Sequence, residues 1–258
     1  MFGIRKRRRQ RLFHQPLPLQ WLGILRRNVP YYGFLPPQQR LELRGLIQIF
    51  LDEKQFEGCG GLELTDEIKV TIAAQGCILL LGRETDIYPK LRSVLVYPHA
   101  YIANVTARQQ DGTVVEGRQG RSGESWMQGY VVLSWADVLR GASYIHDGRN
   151  VVFHEFAHQL DNESGAPEGA PLLADSSANA EWARVFGTEY QSLCDSIERD
   201  QPTLLDRYGA VSPAEFFAVA TEFFFERPAD LQMRHPELYG QLKQYYRQDP
   251  ALLMTNDQ

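Results

Sequence analysis

Cysteine is scarce in this chain: Cys59, Cys77 and Cys194 stand far apart and no CxxC pair occurs. That excludes a disulfide-built scaffold and a cysteine-rich zinc module, and it fits the reduced thiols of a cytoplasmic protein. Long apolar runs are missing too. The best stretch, VTIAAQGCILLLG, is broken at Gln75 and Gly76 and stops at Arg83, short of the eighteen or so residues of a membrane span. A secretory leader is not expected, because the basic run Arg5, Lys6, Arg7, Arg8, Arg9 and Arg11 is followed by His14, Gln15, Pro16, Pro18 and Gln20 rather than an apolar segment. Nor is there an excess of positive charge: the formal net charge is −5, which disfavours a general nucleic-acid binder. The basic run reads first as a solvated tail, and electrostatic attachment to nucleic acid or acidic lipid is the lesser reading. A soluble cytoplasmic protein is expected.

What is present is an ordinary globular composition, 43% apolar and 23% charged, with no internal repeat. Residues 1–36, basic and then rich in Pro and aromatics, read as an extended arm resting on the domain through Trp21, Leu22 and Leu25. Residues 37–258 read as one domain. In it Leu41, Leu43, Leu46, Ile47 and Phe50 recur at helical spacing until Gln55 to Gly61 breaks the pattern, and a second apolar helix covers Asp66 to Leu81. SVLVYP (Ser93 to Pro98) and GYVVLSW (Gly129 to Trp135) read as strands, and ADVLRGASY as a helix beginning near Ala136. IANVTARQQ and TVVEGRQ, joined by Asp111-Gly112, read as a hairpin. A helix of roughly three to four turns is expected within HDGRNVVFHEFAHQLDNESG, with Asp147 or Asn150 as N-cap and Asn162 to Gly165 as a stop, and further helices over Asn179 to Ile197, over SPAEFFAVATEFFFE, and around Pro236 to Tyr246. Strands first and helices later, without alternation, predict an α+β fold, mostly helical with a small mixed sheet.

The chemistry sits in HEFAH, residues His154 to His158, an instance of H-E-x-x-H. Two histidines four apart lie about 40° apart round a helix and one turn along it, so both imidazoles can address one ion. Glu155, rotated by about 100°, lies beside that arc, placed to take a proton from a metal-bound water rather than to displace it. Val151, Val152, Phe153, Phe156, Ala157 and Leu160 make the helix apolar nearly all round, hence buried. Two histidines and a glutamate buried there need partners, and a metal supplies one for each.

A catalytic zinc requires a third protein ligand and an open position. No histidine follows at metzincin spacing, so a carboxylate must serve, from among Asp161, Glu163, Asp175, Glu181, Glu215 and Glu222. Asp161 shares the histidines' face and reads either as an acceptor for an imidazole N–H or as a solvated last-turn carboxylate. Glu215 and Glu222 lie two turns apart on one face of a helix, and periodicity does not separate them. Ser212-Pro213-Ala214-Glu215 is also a capping box, which gives Glu215 an alternative role.

HEFAHQLD, SWMQGYVVLSW and YGAVSPAEFFAVATEFFF together resemble the Mlc titration factor A family of zinc peptidases, whose catalytic core is similar to that of anthrax lethal factor. The similarity runs from the Trp21 region to QDPALL. It implies a zincin-like (gluzincin) domain holding one zinc per chain, with Glu215 as third ligand beside His154 and His158. It implies that Tyr208 lies near the metal, where its hydroxyl would stabilise the developing oxyanion, and leaves Glu222 a supporting part. GYVVLSW resembles the edge strand that zincins place above the cleft, where an extended peptide adds by main-chain pairing. The family further implies contact with a transcriptional repressor of sugar uptake, which no motif here carries.

The leading reading is therefore a zinc-dependent peptidase acting on peptide or protein substrates, with Glu155 as general base. Whether it is an aminopeptidase or an endopeptidase is open. The alternative is a regulator-binding, titrating protein in which zinc is mainly structural; an intact Glu155 favours the peptidase, since a structural site needs no base.

Overall fold

The computed structural model describes residues 2–83, 86–108, 114–121, 123–124, 129–165 and 168–255. The N-terminal segment is helical rather than extended: α1 (Phe2–His14), α2 (Leu19–Asn28) and α3 (Tyr31–Phe34) precede α4 (Pro37–Glu53). Its prolines start helices instead of preventing them, Pro18, Pro30 and Pro36 each standing at an N-cap, where a missing N–H costs nothing. Part of the basic run is spent locally. Arg5 and Arg9 pair with Glu53, Arg9 also with Asp86, and Arg8 with Asp52, which ties α1 to the end of α4. Leu25 of α2 is fully buried in the core, while Trp21 and Leu22 pack on it half-buried.

The stretch that breaks the α4 pattern is a strand, β1 (Gln55–Gly58), followed by α5 (Asp66–Ile78), capped by the Thr65 hydroxyl. Then come β2 (Ser93–Tyr97), β3 (Tyr101–Arg108), β4 (Val114–Arg121), β5 (Gly123–Glu124), β6 (Tyr130–Ser134) and α6 (Trp135–Ser143). The expected hairpin is present as antiparallel β3 and β4, in register Tyr101 to Arg121. Its Asp111-Gly112 turn lies outside the described residues. The four-stranded sheet has the order β1-β2-β6-β5, the first three strands parallel and β5 antiparallel. Strand β6 is therefore not an edge. It pairs along its whole length with β2, β5 covers Val132 and Leu133 on its other side, and Val131 and Leu133 are fully buried. The short apolar run in GYVVLSW reads as a strand, and Val131 to Ser134 are all buried, but the neighbour that covers it is decided by tertiary pairing.

The remaining chain is helical: α7 (Val151–Asp161), α8 (Ser176–Glu198), α9 (Pro213–Glu226), α10 (Pro228–Arg234), α11 (Pro236–Tyr246) and α12 (Pro250–Thr255), with 3₁₀ turns at Asn162–Ser164 and Arg207–Ala210. The whole is α+β, mostly helical over a small sheet. No helix among the described residues is long and apolar enough to cross a membrane.

Helix α7 lies in the middle of this core. Val152, Phe153, Phe156, Ala157 and Leu160 are buried. Phe156 packs against Tyr88 and Phe50, at ring-centre distances of 4.8 and 5.8 Å. A Cβ at Gly76 of α5 would stand 2.8 Å from the Phe156 ring, so glycine is what lets α5 approach α7 this closely. Phe153 meets Phe225 of α9 at 5.2 Å, which brings α7 and α9, the two helices carrying the candidate ligands, side by side.

Candidate metal centre

Of the two N-caps expected for α7, Asn150 is used. Its side-chain oxygen accepts from Val152 N and Phe153 N at 3.1 and 3.0 Å, while its amide donates to Gln75 of α5 at 2.9 Å. Asp147 instead accepts from Arg149 N. From that start His154 and His158 emerge on one face, with Glu155 buried next to them at 6% exposure.

Glu215 stands on the first turn of α9, and its side chain leaves the helix end to meet both histidines. The cap there is Ser212, whose Oγ accepts from Glu215 N at 3.2 Å. Glu215 Oε2 lies 3.0 Å from His154 Nε2 and 3.4 Å from His158 Nε2, and the two imidazole nitrogens are 3.2 Å apart. Three lone-pair donors thus converge on one point. Ligand atoms about 2.0–2.1 Å from a tetrahedral zinc stand about 3.3 Å from one another, so the triangle found here fits such an ion.

Glu222, two turns further along α9, orients this arrangement. Its Oε1 accepts from His154 Nδ1 at 2.8 Å, and its Oε2 accepts from the Asn150 backbone N–H at 2.6 Å. With a proton on Nδ1, the His154 Nε2 lone pair faces the cluster, the arrangement that metal-ligating histidines commonly show. Burial alone would strip His154 of its charge, but Glu222, and then Glu215, outweigh it and raise its proton affinity well above the ordinary value. Burial also raises that of Glu222 against the pull of His154. His158 is pushed the other way, since burial dominates there, and Glu215 is held ionised by its histidine contacts although burial opposes it.

The other carboxylates considered as third ligand are engaged elsewhere. Asp161 is fully buried and accepts from Gly169 N at 2.8 Å, so it holds the loop after α7 rather than an imidazole. Asp175 caps α8, Glu181 pairs with Arg184, and Glu163 is half-buried outside the cluster. Tyr208 stands in the 3₁₀ turn before α9 with its ring centre 6.0 Å from that of His154 and half its surface exposed.

Sequence reasoning missed Glu226. One turn beyond Glu222, it accepts from Arg149 N at 2.9 Å, and burial pushes it up to about 9. Two glutamates inside a phenylalanine-rich helix are the signal that could have found it, because buried carboxylates demand partners.

The sequence profile of the glucose-regulated metallo-peptidase M90 family matches residues 4–247. An uncharacterized protein from Synechocystis is 44% identical over 248 residues, 95% of this chain and 90% of that one. Proteins named Mlc titration factor A from Klebsiella pneumoniae and Escherichia coli are each 32% identical. The first match covers 86% of this chain and 84% of the relative, the second 93% and 90%. With an HEFAH helix, a glutamate from α9 completing a metal-sized triangle and a family profile spanning nearly the whole length, the chain belongs to the glucose-regulated metallo-peptidase M90 family.

Proposed function

We propose that the protein is a zinc-dependent peptidase with a zincin-like centre, in which His154, His158 and Glu215 hold one zinc per chain. The observation that carries the reading is the convergence of those three donor atoms on a metal-sized point beside a buried Glu155. When bound, zinc supplies Lewis acidity to water and to a scissile carbonyl. Glu155 takes the proton of the attacking water and hands it to the leaving amine. Tyr208, on the exposed rim, donates its hydroxyl to the carbonyl oxygen as charge builds there. Glu222 keeps His154 in the tautomer whose Nε2 faces the cluster. The test is metal analysis of the purified chain together with peptide hydrolysis by wild type and Glu155→Gln. Stoichiometric zinc in both, with turnover lost only in the variant, is expected. Hydrolysis retained by Glu155→Gln would defeat the assignment of the base.

The name Mlc titration factor A borne by the relatives favours a second reading, in which this chain binds a transcriptional repressor. Repressor binding that persists in Glu155→Gln and in the metal-free chain would separate it from catalysis.

A further inference from the structure

Tyr208 stands on a turn with two differently made sides. Toward α8 and α9 the turn is packed: a Cβ at Gly209 would meet Leu193 at 3.3 Å and Val219 at 3.5 Å, and Tyr190 donates its hydroxyl to Ala210 O at 3.1 Å. Toward α7 it is held by polar contacts that meet in one carboxylate. Asp206 Oδ1 accepts from Tyr208 N at 3.0 Å, and Asp206 Oδ2 accepts from Arg149 Nη2 at 2.8 Å. Arg149 is itself a fixed point, since its backbone N–H is shared between Asp147 Oδ1 and Glu226 Oε2, both at 2.9 Å, one residue before the cap of α7. The chain of contacts therefore runs from the start of the HEFAH helix, through Arg149 and Asp206, to the backbone of Tyr208.

We propose that Asp206 and Arg149 are positioning residues for Tyr208, latching the turn that carries its hydroxyl to the start of α7 so that the ring is held over His154. The proposal rests on the peptidase reading, in which that hydroxyl meets the substrate oxyanion. An ion pair with Arg149 mostly exposed contributes little to global stability. Its effect is geometric: a displacement of about 1 Å in a group that must meet a developing charge costs on the order of 100-fold in rate.

The test uses the full chain loaded with zinc and a peptide substrate, with Asp206→Ala, Asp206→Asn and Arg149→Ala made in both wild-type and Tyr208→Phe backgrounds. In the wild-type background Asp206→Ala is expected to lower kcat roughly 10- to 100-fold with KM and zinc content nearly unchanged. In the Tyr208→Phe background it should lower kcat no more than about twofold further, because its effect passes through the hydroxyl already removed. Asp206→Asn keeps one acceptor for Tyr208 N but sets an NH₂ group against the Arg149 guanidinium, so it and Arg149→Ala should each fall between wild type and Asp206→Ala. Equal losses in both backgrounds, or loss of zinc in Asp206→Ala, would overturn the proposal by assigning Asp206 to the fold or to the metal. A second measurement needs no turnover. In the metal-free chain, backbone amide exchange at residues 207–210 should quicken at least about tenfold in Asp206→Ala and Arg149→Ala while α7 and α9 keep their protection. Unchanged exchange there overturns the latch whatever the activity. Conversely, a latch seen by exchange in a chain that hydrolyses no peptide would sink the peptidase reading and leave the contact as an ordering device alone.

Discussion

Glu222 reaches His154 Nδ1 with one carboxylate oxygen and the backbone N–H of Asn150 with the other, at 2.8 and 2.6 Å, so a single side chain of α9 sets both the tautomer of a candidate ligand and the start of the helix that carries it. An amide cannot replace it. Glutamine has one oxygen and an NH₂ group, so in Glu222→Gln one of the two donors faces another donor. Zinc affinity should fall about 10- to 100-fold, and the metal-free protein should lose about 1–3 kcal/mol, the cost of a buried donor left without an acceptor. Zinc titration and thermal unfolding of the metal-free form check the two effects separately. Wild-type values in both would mean that the contact has no role.

Glu215 and its neighbour Ser212 make a second, contrasting pair. The serine hydroxyl, not the glutamate, caps α9, and the Glu215 side chain is directed at His154 and His158. Glu215→Gln should therefore weaken zinc binding more than Glu222→Gln does, because it removes a charged ligand oxygen. Ser212→Ala should instead cost about 0.5–2 kcal/mol in both metal-free and metal-loaded protein, with zinc affinity near wild type. The roles are exchanged if Ser212→Ala loses zinc while Glu215→Gln keeps it.

These contacts show why some parts of the molecule were legible in the sequence and others were not. Helices α4, α5 and α7 announce themselves because apolar residues recur at their own period and a capping residue such as Thr65 or Asn150 stands where α5 or α7 begins. HEFAH is readable for the same local reason. Strand β1 is not: Gln55, Phe56, Glu57 and Gly58 are too few and too polar to show alternation, and they become a strand only by pairing with Ser93 to Val96, nearly forty residues away. The same limit applies at the site. Periodicity placed Glu215 and Glu222 on one face but could not divide their tasks, which depend on where Asn150 and the histidines stand in three dimensions. Asp161 shared the histidines' face, and the tertiary structure turned it to Gly169. The prolines of the first 36 residues were misleading because a proline before a helix and a proline that breaks one look alike without the following backbone.

Glu226 gives a pH dependence. Burial raises its pKa in the folded chain to about 9, against an ordinary value of 4.5 once unfolded. For a group raised on folding, the stabilising contribution is complete below the unfolded value and is lost as pH rises through the folded one. Between about pH 5 and pH 9 the wild type should therefore lose stability relative to Glu226→Gln, which stays neutral and can still accept from Arg149 N. A tenfold difference in proton affinity between the folded and unfolded chain corresponds to about 1.4 kcal/mol, so the advantage of the variant should grow to a few kcal/mol at the alkaline end. Thermal midpoints of both proteins across this window are the measurement. A constant difference between them would show that Glu226 does not take up a proton on folding.

Gly169 holds together the three elements that meet behind the site. Its N–H donates to Asp161 at the end of α7, and its carbonyl accepts from Trp182 Nε1 of α8 at 2.9 Å. Its Cα lies so close to the start of α9 that a Cβ would stand 2.3 Å from Pro213 O. Its φ of +75° is in the left-handed region, so an alanine there meets both backbone strain and a clash with backbone that cannot rotate away. Relief requires Pro213 to move, and Glu215 is two residues further along the same helix. Gly165 is the control, because its φ of +106° is equally unfavourable for alanine but nothing lies within 4 Å of the added Cβ. Both substitutions should lower the stability of the metal-free protein, each by about 1–3 kcal/mol from strain alone, with Gly169→Ala at or above the top of that range. Gly169→Ala should in addition weaken zinc binding by about tenfold or more, since about 1.4 kcal/mol of ligand misplacement suffices for that. Gly165→Ala should leave zinc affinity close to wild type. Equal zinc affinity in the two variants would mean that the position of α9 does not depend on this loop, and that Glu215 is held to the histidines by the core contacts of α7 and α9 alone.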